Sequence, residues 1–150
     1  MKRIISISLM LAVATGLVGL FSGSKRIVPV VHAQSGCSVA SLSGNYGYTG
    51  SGFASLNHSA KGAEAPVAYS GLENFDGAGN FSATFTVVNN GTISTGQTAA
   101  GTYTVNSDCT GTASFATGGT FNLTVVSGGA ELLVIQTDPG NTVTFDAKKE

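Results

Sequence analysis

The sequence predicts an all-β fold, a small antiparallel up-and-down barrel of eight or nine strands within residues 34–150, and three observations carry that expectation. Composition is the first: downstream of residue 33 the chain holds eighteen glycines and abundant Thr and Ser, while Leu, Lys, Arg and Glu are scarce. Helices favour the scarce group; strands joined by tight turns favour the abundant one. The second is strict alternation. Phe81, Ala83, Phe85 and Val87 interleave with Ser82, Thr84 and Thr86; Phe121, Leu123 and Val125 interleave with Thr120, Asn122 and Thr124. A period of two with one apolar face describes strands buried on one side and wet on the other, the habit of antiparallel sheets. The third is punctuation by residues that tolerate positive φ, among them Asp76-Gly77-Ala78-Gly79-Asn80, Asn89-Asn90-Gly91, Gly118-Gly119 and Gly128-Gly129.

The N-terminus comes first. Met1-Lys2-Arg3 is basic, residues 4–21 carry no charge, and Val31-His32-Ala33 places small residues before Gln34. That order is the layout of a secretory signal peptide spanning residues 1–33, leaving one domain over 34–150 in a secreted or periplasmic setting. An uncleaved anchor is the rival, because eighteen apolar residues are just long enough to span a bilayer, and it would give the protein its one contact with a membrane. Ser35-Gly36-Cys37 ends like a lipobox, but Gln34 stands where an aliphatic residue belongs. After cleavage three lysines face all eight acidic residues, a formal charge of −5 with no arginine. That balance excludes nucleic acid and anionic membrane surfaces as partners.

Cys37 and Cys109 are the only cysteines, and an even count in an exported chain reads as a disulfide. Ser38 to Ser43 is long enough for one helical turn. Strands are then expected at about 44–53, 65–75, 81–89, 92–99, 101–107, 110–117, 120–127 and 131–138, with 142–148 a ninth. Asp138-Pro139-Gly140-Asn141 has Pro and Gly where a type II turn needs them. Connections this short make sequence neighbours spatial neighbours, so the meander must close into a barrel or fold into a two-layer β-sandwich, the alternative architecture. Leu132-Leu133-Val134-Ile135 is apolar on both faces; either the N-terminal turn covers it outside, or it is an exposed patch for a second copy. The oligomeric state stays open at this stage.

Phe75-Asp76-Gly77-Ala78-Gly79-Asn80, Gly101-Thr102-Tyr103-Thr104-Val105-Asn106 and Asp108-Cys109-Thr110-Gly111-Thr112 together resemble a group of small secreted bacterial β-barrel proteins, as does the later run from Leu133 to Gly140. The resemblance implies an exported barrel and brings no activity with it. In shape alone the expected barrel is similar to the calycins and to allene-oxide-cyclase-like barrels, and shape does not fix function.

Candidate chemistry is sparse. Asp76 to Asn80 offers two polar side chains where calcium wants six to eight oxygens, so a glycine-rich turn is the simpler reading. Zinc lacks its ligand set, with one histidine and a cysteine pair expected to be oxidised. His58 is the single histidine after residue 33 and sits in the polar stretch from Ser55 to Glu64, without a nucleophile elbow anywhere in the chain, so no catalytic residue and no cofactor are expected. The tripeptides at Asn57, Asn80, Asn90 and Asn122 match the glycosylation pattern, but they arise by chance in such a composition and carry no weight.

Glu73 stands apart. It is in phase with Val67, Tyr69, Gly71 and Phe75, so an unbroken strand would turn its carboxylate inward. The plainer expectation is a bulge near Gly71 that flips the register, or a place at the rim. The sharper one makes Glu73 a polar anchor in a ligand cavity, with Tyr46, Tyr48, Tyr69 and Tyr103 as hydrogen-bond donors. Three functions follow: a barrel that binds a small hydrophobic molecule; a structural or surface protein whose interior Phe81, Phe85, Phe121 and Phe145 fill; and, on shape alone, a cyclase or isomerase.

Overall fold

The computed structural model describes residues 36–55 and 63–150. The targeting segment 1–33 with its cleavage position, and His58, Lys61 and Asn57, lie outside the described residues.

Eight strands form a closed antiparallel barrel: β1 (Ser43–Ser55), β2 (Glu64–Asp76), β3 (Asn80–Asn89), β4 (Thr92–Val105), β5 (Thr110–Phe115), β6 (Thr120–Val126), β7 (Glu131–Gln136) and β8 (Thr142–Lys149). Each strand pairs with its sequence neighbours, and β8 returns to β1 with Phe145 opposite Gly50. Closure leaves no sheet edge. The alternation read from sequence is the inside–outside alternation of the barrel: Phe121, Leu123 and Val125 are buried, while Asn122 and Thr124 are exposed.

The spans expected at 92–99 and 101–107 are one strand. Gly101 does not break it; instead, a Cβ there would lie 2.1 Å from the Ser114 carbonyl and 2.7 Å from the Phe81 ring, so glycine is what allows β5 and that ring to come so close. Interior glycines elsewhere face aromatic partners in register, Gly71 opposite Tyr48 and Gly50 opposite Tyr69. The Phe145 ring lies directly over Gly50. Alternating large and absent side chains lets a tightly curved barrel accept rings on its concave face.

The turns carry out what their residues specify. Asn90 and Gly91 take φ of 48° and 82°, the two-residue hairpin geometry that matches strand twist. Gly140 takes φ 80°, and the Asn141 N–H donates to the Asp138 carbonyl at 3.2 Å.

One barrel end is stoppered. Residues 36–42 carry a single 3₁₀ turn, Val39–Ser41, and the Cys37–Cys109 disulfide ties them to the β4–β5 turn with a Cα separation of 4.9 Å. Leu42 is fully buried beneath this stopper. The Tyr103 hydroxyl lies 2.9 Å from both the Val39 and the Leu42 carbonyls, with one proton to share between them. Tyr46 donates to the carbonyl of Gly129 in the β6–β7 turn. The N-terminal turn therefore closes an end and does not cover β7. Outside β7, Leu133 and Ile135 are about half exposed.

Candidate functional site

The stopper turns the barrel into a cup. Its floor is a packed layer in which the Phe75 ring stands edge-on to Tyr46 and Tyr103, with centroids 5.2 Å away in each case. Above that floor lies a cavity of about 500 Å³, within the size range of small-molecule sites. It extends toward the opposite end, where Asn89, Ser94, Gln97, Thr117 and Gln136 form a polar rim. Gln136 is held in place by donating to the Asp138 carboxylate at 2.8 Å.

Rings make the wall. Contacts run from Phe75 to Phe81 (5.7 Å between centroids), Phe115 (5.2 Å), Phe121 (5.3 Å), Phe145 (5.9 Å), Tyr69 (5.3 Å) and Phe85 (6.1 Å), a nearly complete girdle. Edge-to-face and tilted pairs at such distances stabilise one another beyond the area they bury. A solid interior was one expectation for Phe81, Phe85, Phe121 and Phe145. The four are found lining the space and not filling it, because each packs sideways on the next ring or lies over a glycine.

Glu73 is inside the cup. The register of β2 runs unbroken against β1 and β3, with Glu73 opposite Tyr46 on one side and Ala83 on the other. The bulge expected near Gly71 is absent; the irregularity lies in the β3–β4 pairing between Phe85 and Val87, where Gly96 takes φ 64°. Ala83 in turn pairs with Ala99. Two small side chains beside Glu73 leave open space in front of the carboxyl. That carboxyl is half-buried by surface area, lines the cavity, and accepts no hydrogen bond from any described residue. Desolvation lifts its pKa from 4.5 to about 7, since burial penalises the charged form.

The four tyrosines separate into two pairs. Tyr48 and Tyr69 line the cavity with Glu73. Burial raises the pKa of both hydroxyls, and Tyr48 is raised further by the nearby Glu73 and Tyr69. Tyr46 and Tyr103 do not join them: their hydroxyls are spent on backbone carbonyls of the stopper and its neighbouring turn. Spacing along the strand decides this, because Tyr46 sits two residues closer to the closed end than Tyr48. Phe75, Phe115 and Gln136 also line the cavity without having been singled out from sequence. The alternation of Ala113 and Phe115 was a usable signal for one of them.

Asp76 shows what its loop does. It accepts from the Ala78 N–H at 2.7 Å, the Asn80 N–H at 2.9 Å and the Asn80 side-chain amide at 2.6 Å. These bonds, the Asn80 amide first, hold its pKa below the usual carboxylate value. Among the described residues no group of three or more His, Cys, Asp or Glu is placed to hold a metal. A larger depression, about 740 Å³, lies on the outer wall beside Thr49, Leu133, Ile135 and Thr144, but it is a broad, open surface saddle and encloses no interior space. The interior cup is the candidate site.

No protein-family model matches the sequence, and no curated protein matches it. Among solved structures the chain is similar to a de novo designed fluorescence-activating β-barrel, with 14% identity and a TM-score of 0.42, the match covering 75% of this chain and 96% of that one.

Proposed function

We propose that the chain is an exported carrier or receptor for a small hydrophobic molecule, which it holds inside the barrel with a polar group of the ligand at Glu73. The observation that carries this reading is the pairing of an aromatic cavity with an unpartnered carboxyl just above its floor. An empty apolar space and a buried acid each lower stability, and a ligand that fills one and satisfies the other recovers both losses. The basic-apolar-small N-terminus supports export, and the Cys37–Cys109 bridge suits an oxidising compartment.

N-phenyl-1-naphthylamine, a neutral dye whose emission brightens in apolar surroundings, tests the reading. One saturable site per chain is expected. Ala113→Trp, which projects a bulky ring from β5 into the cavity, should abolish that site while circular dichroism confirms an intact barrel. Absence of saturable binding, or equal binding by the variant, would refute the cup as a ligand site.

A further inference from the structure

The cup is built for one sign of charge. Glu73 is the sole ionisable acid or base, tyrosines apart, among the described residues that line it; no lysine, arginine or histidine of that set reaches the space. The ion pair seen among the described residues, Lys148 with Glu131 at 3.7 Å, lies on the outside. Eight aromatic side chains share the lining, and such rings accept a cation against their π faces. The whole domain adds a field of the same sign, its formal charge after residue 33 being −5. An anionic ligand head would meet a carboxyl with no cation to bridge them. A neutral head would leave the carboxyl's charge and the net charge unused.

We propose that the ligand is a small hydrophobic ammonium, seated with its nitrogen against Glu73 and its apolar body among the rings toward the rim. This rests on the cup being a ligand site and goes further by naming the ligand's charge. Small side chains follow Glu73 across the sheet, Ala83 as its partner on β3 and then Ala99, which lines the cavity with it. The Tyr48 and Tyr69 oxygens, neither bonded to another described residue, add acceptors higher in the same cavity, toward the rim. Burial alone raises the Glu73 pKa, and a bound ammonium supplies the missing counter-charge.

A pH dependence follows. The titratable groups on the strands flanking Glu73 are Tyr46 and Tyr48 on β1 and Tyr69 on its own strand, while β3 presents Ala83 and Phe85. The Lys149 ammonium of β8 lies 5.9 Å over the Tyr46 ring at the closed end without lining the cup. All three hydroxyls are shifted upward and stay neutral at ordinary pH. Among the described residues that line the cup, Glu73 alone then changes charge between about pH 5 and pH 8, and an alkylammonium remains protonated throughout. Below about 7 the empty cup holds a proton that ammonium must displace, so affinity falls as pH falls.

The test is displacement of N-phenyl-1-naphthylamine by decylamine, decanol and decanoate, three competitors of equal chain length and different charge. At about pH 8 decylamine should compete at least ~10-fold more tightly than decanol, with decanoate weakest, the order that pairing with a lone carboxylate dictates. Between about pH 8 and pH 5 decylamine should weaken by ~10- to 100-fold while decanol stays constant. Glu73→Gln should bring decylamine and decanol within ~2-fold of each other, each competitor being read against that variant's own dye isotherm. Decanol equal to or tighter than decylamine in the unaltered protein, or a pH-independent decylamine affinity, overturns the charge assignment while the cup survives. Failure of the dye itself to bind overturns both. The pH arm needs no variant, so it decides even if Glu73→Gln does not fold.

Discussion

Glu73 should make the protein less stable as pH rises, and Glu73→Gln should erase that loss. The carboxyl has an ordinary pKa of 4.5 when the chain is unfolded and about 7 in the folded cup. Between those values the folded state holds the proton more tightly than the unfolded state does. Stability therefore declines as pH climbs through the window, and the full penalty is present above about 7. Below 4.5 both states are protonated and the penalty vanishes. At 1.36 kcal/mol per pH unit the displacement amounts to about 3 kcal/mol. For a domain of this size that is a change in melting temperature of about 10 °C. Urea denaturation at about pH 5 and pH 8, followed by circular dichroism, measures it. Asp76 and Asp108 shift the other way, but their pKa values are lowered from 3.8, so they titrate below this window. Subtracting the Glu73→Gln profile removes every other background titration. Glu73→Gln should lie within about 1 kcal/mol of the parent at the lower pH and exceed it by about 3 kcal/mol at the higher. Parallel profiles for the two proteins would show that Glu73 is solvated like a surface acid, and the cup would lose its anchor.

Two other predictions concern the scaffold. Gly101→Ala should lower stability by about 3 kcal/mol, because the new methyl would meet a backbone oxygen that cannot move away, whereas Gly50→Ala should cost about 1–2 kcal/mol, since there the obstacle is the movable Phe145 ring. Equal urea midpoints for the two variants would contradict the distinction. Replacing both Cys37 and Cys109 by serine, which opens a loop spanning 72 residues, should cost about 4 kcal/mol and speed hydrogen exchange at Leu42. An unchanged midpoint would mean that the stopper holds without its covalent tie.

Much of the barrel was legible because its information is local. Alternation places Phe121, Leu123 and Val125 on one face whatever surrounds them, and Asn90-Gly91 or Pro139-Gly140 specifies its turn through φ alone. A chain of such hairpins has few ways to bury its apolar faces, so closure follows. Gly101 shows the limit of this reasoning. In sequence a glycine between two alternating runs looks like a break, yet its role is to accept β5 and the Phe81 ring, which arrive from elsewhere in the chain.

The site depended on less local facts. Parity along β2 turned Glu73 inward only if no bulge intervened, and two glycines, Gly71 and Gly96, were each able to host one. The cross-strand partners chose Gly96, because flat pairing of β2 with both neighbours holds Gly71 in register. Sequence likewise determined that Tyr46, Tyr48, Tyr69 and Tyr103 share the inner face. It did not determine their heights above the stopper, which separate the two that hold the floor together from the two that line the cavity with the carboxyl. Whether the interior was solid or hollow was also beyond it, for the same reason: residue type and spacing set which way a side chain faces. The space in front of that side chain is set by strands distant in sequence, and these meet only when the barrel closes.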